Sequence, residues 1–110
     1  MLVVKRNGLR EPFDRAKVLS GLRAAAKNLP IDAAVLESLA TEVEDSVRIE
    51  GAEVSSAQVG VLVLDRLRQV DGVAYLRFAP VYKNFTDPAD FTREARTLAK
   101  ASEPKARSLS

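Results

Sequence analysis

The strongest local constraint in the chain is the Asn7-Gly8 pair, which lies between two short apolar runs near the amino terminus. Both residues tolerate positive φ, so the pair predicts a two-stranded hairpin with a type I′ turn. The hairpin would carry two cations beside its turn, Lys5 and Arg6, and one carboxylate, Glu11, on its return strand. Such a flap can cover a polyanion, or its charges can simply keep an edge strand from aggregating.

After the hairpin, apolar residues recur every three or four positions, which predicts a succession of helices. Asp14 is a candidate cap for the first helix, expected over residues 14–29 and ended by Pro30. Asp32 is a candidate cap for the second helix, which would end near Gly51. The acidic residues of that helix lie mostly off its apolar stripe and form either a solvated surface or a contact for a basic partner. They are Glu37, Glu42, Glu44 and Asp45.

A third helix is expected to begin at Ser55-Ser56, where either hydroxyl can serve as the cap. Residues 59–64 are rich in β-branched side chains and also suit a buried strand. The apolar pattern continues to Val70, however, and this length favours a helix. Since the segment is apolar on most sides, we expect it to be the central, buried helix.

The last third of the chain predicts two further helices. The fourth is expected over residues 73–85, with Pro80 causing a kink or dividing it into two short helices. The fifth begins at Pro88, a residue suited to the first position of a helix, and carries an apolar stripe as far as Leu98. Residues 102–110 contain few apolar groups and are predicted to form a disordered tail.

Composition limits the possible functions. The 110 residues suffice for one domain with one modest core, which we expect over residues 1–101. The sequence contains neither Cys nor His, which excludes cysteine–zinc sites, thiol chemistry and histidine acid–base catalysis within it. A net charge of +2 fits a local anion site better than a broad nucleic-acid surface. With no long apolar run and no signal-peptide pattern, the cytoplasm is the expected location.

Two parts of the sequence together resemble a known family, the ATP-cone. They are residues 3–8 followed by 11–14 and Lys17, and, much later, residues 73–85. The ATP-cone is the nucleotide-sensing domain of class I and III ribonucleotide reductases and of the NrdR family of bacterial repressors, and the later string is similar to the repressor version. The resemblance covers about residues 2–98. It implies an α+β, mostly helical fold, in which a hairpin or small sheet lies over a bundle of four to five helices.

The resemblance also implies that ATP or dATP, with or without Mg²⁺, binds between the hairpin and the helices. A triphosphate carries about four negative charges and needs convergent cations together with N–H or hydroxyl donors. By resemblance, four cationic residues contact the phosphates, namely Lys5, Arg6, Lys17 and Lys83, and Ser55 lies near the phosphates. Val3 offers its backbone to the adenine, and Glu11 lies near the ribose or base. Tyr82 stacks or hydrogen-bonds near the base. Purely structural roles remain open as well, with Lys17 as a surface lysine, Ser55 as a cap and Tyr82 as a core residue.

The expected function is therefore a regulatory module that binds ATP or dATP and changes its oligomeric state. In the repressor family a four-cysteine zinc ribbon binds the operator, and this sequence has no Cys. The chain is expected to be either a shortened repressor or a stand-alone cone, with DNA as a partner only through such a ribbon. We expect the subunit contact on the apolar side of the fourth and fifth helices, around Phe78, Phe85 and Phe91.

Two other functions compete with this one. The first is a helical module that binds a protein partner without any nucleotide. The second is an enzyme such as an ATPase, but the sequence has neither a Walker lysine loop nor a pair of aspartates placed for magnesium. We therefore expect no catalytic activity.

Overall fold

A computed structural model of the chain describes residues 1–83 and 87–101, with side chains for residues 1–80 and 87–100. Within these ranges a small sheet lies against a bundle of helices, and the predicted α+β, mostly helical architecture is confirmed. The elements in chain order are β1 (Leu2–Val4), β2 (Arg10–Pro12), α1 (Arg15–Ala25), α2 (Ala33–Glu50), β3 (Glu53–Ser55), α3 (Ser56–Val70), α4 (Gly72–Lys83) and α5 (Pro88–Ala101). The predicted tail at residues 102–110 lies outside the described residues.

The predicted hairpin is present, but its turn differs from the prediction. The Lys5 N–H donates to the Leu9 carbonyl at 2.8 Å, and the Gly8 N–H donates to the Lys5 carbonyl at 2.9 Å. Gly8 has a φ of 84°, whereas Asn7 does not have a positive φ. The type I′ prediction is therefore wrong, since that turn needs positive φ at both central residues. The Asn7 side chain instead accepts the Leu9 N–H at 3.0 Å, which stabilises the turn locally.

The sheet has a third strand that the sequence pattern did not indicate. β1 lies in the centre, antiparallel to β2 and parallel to β3. β3 is only three residues long, and Val54 is its buried side chain. The strand leads directly into α3, so the sheet fixes the position where that helix begins.

The helix caps follow the sequence in part. Asp14 accepts the N–H of Ala16 at 2.9 Å, which confirms it as the cap of α1. Asp32 occupies the corresponding position before α2, but its side chain makes no capping hydrogen bond. α1 ends at Ala25 instead of residue 29, and Asn28 in the turn that follows has a φ of 64°. A left-handed residue directs the chain out of the helix, so the end comes before Pro30.

The central segment is a helix, and the strand alternative for residues 59–64 is wrong. α3 is nevertheless not buried on all sides, because Val61 is 54% exposed while Val63 and Leu67 are fully buried. α4 runs through Pro80 as one continuous helix, so the alternative of two short helices is wrong, while the kink at Pro80 stays a prediction. Both corrections reflect packing, which buries one face of α3 and holds α4 together across its proline.

The core is formed by α1 to α4, in which each helix packs against two others in a closed cycle. α5 packs against α4. The largest fully buried side chains come from all four core helices and are Leu22, Val43, Val47, Val63, Leu67 and Tyr75. Among the described helices, none has both the length and the apolar content that crossing a bilayer requires.

Candidate functional site

A cavity of about 450 Å³ lies between the sheet and helices α1, α3 and α4. This volume is in the range of pockets that hold small ligands. Its walls are largely apolar, with a few polar groups among them. The described lining residues are Val3, Glu11, Phe13, Asp14, Lys17, Val18, Gly21, Ala24, Ala25, Ser56, Val59, Val63, Arg77 and Phe78.

Glu11 holds two lysines beside this cavity, and we call Lys5, Glu11 and Lys17 the cavity edge. The Lys5 ammonium lies 3.5 Å from Glu11 Oε2, and the Lys17 ammonium lies 3.5 Å from Glu11 Oε1. The three side chains are 46%, 34% and 66% exposed. At such exposure each ion pair contributes little to stability, so the lysines remain available to a ligand.

The sheet register explains why these charges meet. Val3 lies directly opposite Glu11 in the antiparallel pair, and opposed residues place their side chains on the same face. Lys5 follows Val3 by two positions and therefore points to that face as well. Lys17 reaches Glu11 from α1, which Asp14 caps. The hairpin and α1, which follow one another along the chain, thus bring the three charged groups to one place.

The two serines at the start of α3 have separate positions. The Ser55 hydroxyl accepts the N–H of Gln58 at 3.1 Å, and the Gln58 side chain accepts the N–H of Ser55 at 2.8 Å. This reciprocal capping box is the structural role that the sequence left open for Ser55. Ser56, rather than Ser55, lines the cavity. The first turn of α3 therefore lies at the cavity, and a helix start favours anions.

The other residues predicted to bind the nucleotide differ in whether they line the cavity. Val3 lines the cavity, and its position opposite Glu11 puts its backbone in the β1–β2 ladder. Arg6 is exposed in the hairpin turn. Neither Lys5 nor Arg6 is among the described residues that line the cavity. The side chains of Tyr82 and Lys83 lie outside the described residues.

Arg77 is a cavity residue that the sequence reasoning missed. One of its guanidinium nitrogens, Nη1, donates to the Ala25 carbonyl at 3.2 Å and to the Lys27 carbonyl at 2.6 Å. These carbonyls belong to the end of α1 and the turn after it, so Arg77 joins α4 to α1 beside the cavity. The sequence feature that could have indicated its role is that Arg77 is the only charged residue in an otherwise uncharged segment, positions 72 to 82.

Gly21 and Phe78 form another part of the wall that was missed. A Cβ at Gly21 would lie 3.1 Å from Phe78 Cε2, so the absence of a side chain on α1 lets the ring pack closely. Phe78 is buried, and its expected role in a subunit contact is therefore wrong. Phe91 is 45% exposed, as such a contact requires, and Phe85 lies outside the described residues.

The acidic residues of α2 mostly form ion pairs within the chain. Glu37 accepts from Arg15 of α1 at 2.8 Å, and Glu42 lies 3.4 Å from Arg66 of α3. Glu44 lies within 3.8 Å of Arg48 on its own helix. The pairs with Arg15 and Arg66 link α2 to α1 and α3, whereas the pair with Arg48 lies within α2. The face is thus a solvent-exposed surface that carries ion pairs.

A second polar cluster joins α3, α4 and α5. The buried Tyr75 hydroxyl donates to the Glu94 carboxylate and accepts from Arg68 Nη2 at 3.1 Å. The Arg68 guanidinium also lies over the Tyr75 ring, 5.1 Å from its centroid. The hydrogen bond to Tyr75 is the main cause that raises the pKa of Arg68 above its ordinary value, so the guanidinium stays charged. None of the three residues lines the cavity.

Protein groups suited to a metal ion are not found in the part of the chain that the structure describes. No set of three or more His, Cys, Asp or Glu side chains there is arranged to hold one.

Comparison with known proteins agrees with the sequence resemblance. Residues 1–88 match the family model described as the ATP cone domain. The chain is 50% identical over 105 residues to the transcriptional repressor NrdR of Rhodococcus erythropolis, covering 94% of this chain and 64% of that protein. It is 46% identical over 106 residues to the NrdR of Salinispora arenicola, covering 96% and 69%. The match to NrdR of Mycobacterium tuberculosis is 50% over 99 residues, covering 89% and 64%. The chain thus spans about two thirds of the length of these curated relatives.

Proposed function

Because this chain belongs to the ATP-cone family, we propose that it is a regulatory domain that binds ATP or dATP in the cavity beneath the hairpin. One observation carries the proposal. Val3, Glu11 and Lys17, which by resemblance to the family contact the nucleotide, line a single cavity of about 450 Å³. Lys5 is joined to the same place through Glu11.

The chemistry of the cavity suits an adenine nucleotide. The apolar walls, which include Val3 and Phe78, can bury a flat base. Lys5, Arg6 and Lys17 supply the positive charge that phosphates require, since charge-assisted hydrogen bonds are the strong ones. In this proposal Lys83 adds a further phosphate contact, Tyr82 lies near the base, and Ser55 acts by holding the first turn of α3 at the phosphates. Mg²⁺ arrives with the triphosphate.

The regulatory step follows from differential binding. The domain assembles with copies of itself, and ATP and dATP stabilise different packings because their affinities for the two packings differ. The longer relatives are named transcriptional repressors, and we propose that in a protein of this kind the change of assembly alters DNA binding. In this proposal the domain contacts DNA only through a zinc ribbon, which the present sequence does not contain. The domain acts in the cytoplasm and catalyses no reaction.

A thermal-shift titration with ATP, dATP, ADP and adenosine tests nucleotide binding directly. ATP at ~100 times its dissociation constant stabilises a one-site binder by about 2.7 kcal/mol, which raises the melting temperature. Adenosine should give a much smaller shift, since it lacks the phosphates that the lysines would bind. If none of the four ligands shifts the transition, the nucleotide-independent interaction module replaces this proposal.

Light scattering with ATP and with dATP tests the regulatory part separately. The two nucleotides should give different average masses at the same protein concentration. Equal masses, together with a clear thermal shift, would leave a nucleotide-binding domain whose assembly does not depend on the nucleotide.

A further inference from the structure

The position of Glu11 suggests a role that a simple ligand-contacting residue would not have. Its two carboxylate oxygens each face one lysine, Lys5 on one side and Lys17 on the other, both at 3.5 Å. These are the two ammonium groups that the proposed function assigns to phosphates. A carboxylate carries one negative charge and two acceptor oxygens, as does each internal phosphate of a triphosphate, so Glu11 can occupy the two lysines in the same way.

We propose that Glu11 is an internal anion that pairs with Lys5 and Lys17 when the cavity holds no nucleotide, so that an incoming triphosphate must exchange with it. This inference rests on the proposed nucleotide-binding function. It adds that the free energy of nucleotide binding is reduced by the loss of the two ion pairs that Glu11 makes. Both ion pairs are long and largely exposed, so the exchange is easy. After exchange the carboxylate is free to accept from a ribose hydroxyl, which tripolyphosphate lacks.

The inference predicts a gain of affinity upon removal of a charge from the site. In Glu11→Gln the lysines lose their internal partner and the repulsion between carboxylate and phosphate disappears. Tripolyphosphate should therefore bind about three- to tenfold more tightly than to the wild-type chain, as measured by calorimetry near 0.1 M salt. The gain should shrink toward ~1 M salt, where the screening length falls to about 3 Å.

Glu53→Gln is the matched control. Glu53 is also a strand carboxylate in an exposed ion pair, with Arg10 at 3.1 Å, but it does not line the cavity. Its substitution changes the net charge of the chain by the same amount and should leave tripolyphosphate affinity unchanged. An equal gain in both variants would show a general charge effect and overturn the inference.

Two other outcomes separate this inference from the function on which it rests. If wild type binds ATP but Glu11→Gln binds tripolyphosphate equally or more weakly, then Glu11 orients the lysines for phosphate, and only the exchange role fails. If neither protein binds ATP or tripolyphosphate, the proposed function fails and takes the exchange role with it. Thermal unfolding of each variant verifies that both are folded.

Discussion

The helical core and the cavity edge differ in almost every physical respect. In the core, Val47 and Leu67 are completely shielded from water and belong to one cluster of buried apolar side chains. At the cavity edge, Lys5, Glu11 and Lys17 are all substantially exposed and are joined by ion pairs of 3.5 Å. Burial of apolar surface stabilises a fold strongly, whereas exposed ion pairs scarcely do. The stability of the domain and its response to a ligand should therefore reside in different residues.

Leu67→Ala should have the largest effect on stability. Leu67 is 0% exposed, and its truncation leaves a cavity in the core that the surrounding helices cannot fill completely. We expect a loss of about 2–5 kcal/mol in the free energy of unfolding, as measured by urea denaturation. Because Leu67 does not line the cavity, ATP affinity should persist at temperatures where the variant is folded. A loss below about 1 kcal/mol would show that the surrounding helices can close around the missing side chain.

Lys17→Ala should show the opposite pattern. Loss of one charge-assisted phosphate bond, worth ~1.5–3 kcal/mol, should lower ATP affinity roughly ten- to a hundredfold in calorimetry. Stability should change by no more than about 0.5 kcal/mol, since the side chain is 66% exposed. Lys100→Ala, on the exposed side of α5, serves as the control and should change neither quantity. Unaltered ATP affinity in Lys17→Ala would reject the phosphate contact for this residue.

Tyr75→Phe should destabilise the chain by about 1–3 kcal/mol, because Arg68 and Glu94 each lose a hydrogen-bond partner in a partly buried place. The pKa of Arg68 is raised in the folded chain, so this stabilisation is complete below the ordinary pKa of an arginine and is lost only as pH rises through the still higher folded value. The deficit should thus be constant between about pH 6 and 9 in thermal unfolding. A deficit that varies strongly with pH in that interval would implicate a different group.

Arg10→Ala should have the smallest effect. Arg10 pairs with Glu53 at 3.1 Å on the outer part of the sheet, and both side chains are about half exposed. We expect a change of about 0–1 kcal/mol in stability and none in ATP affinity. A larger loss would show that charges on the sheet contribute more to the fold than those at the cavity edge, and would weaken the contrast between the two regions.

Much of the fold could be predicted because its signals are local. The Asp14 cap of α1 and the end of α2 before Gly51 follow from short-range backbone chemistry. β3 could not be predicted, since three residues with one buried side chain show no alternation, and the strand forms only because β1 offers it an edge. The early end of α1 depends on the conformation of Asn28, which no apolar pattern reveals.

The residues of the candidate site likewise fall into those that the sequence could indicate and those that it could not. Glu11 and Lys17 could be proposed from the sequence because they belong to the family motif around the hairpin, whose residues lie close together along the chain. Arg77 and Gly21 could not, because their importance arises only when α1 and α4 pack together. Apolar spacing shows which face of a helix is buried, but it does not show which other helix covers that face.

The central place of β1 has a mechanical consequence. Its Leu2 N–H donates to the Ala52 carbonyl at 2.8 Å, and its residues pair in register with a strand that continues without a break into α3. The hairpin therefore cannot move outward independently of the rest of the domain. Any displacement of its tip must either break those parallel bonds or drag the beginning of α3 along with it.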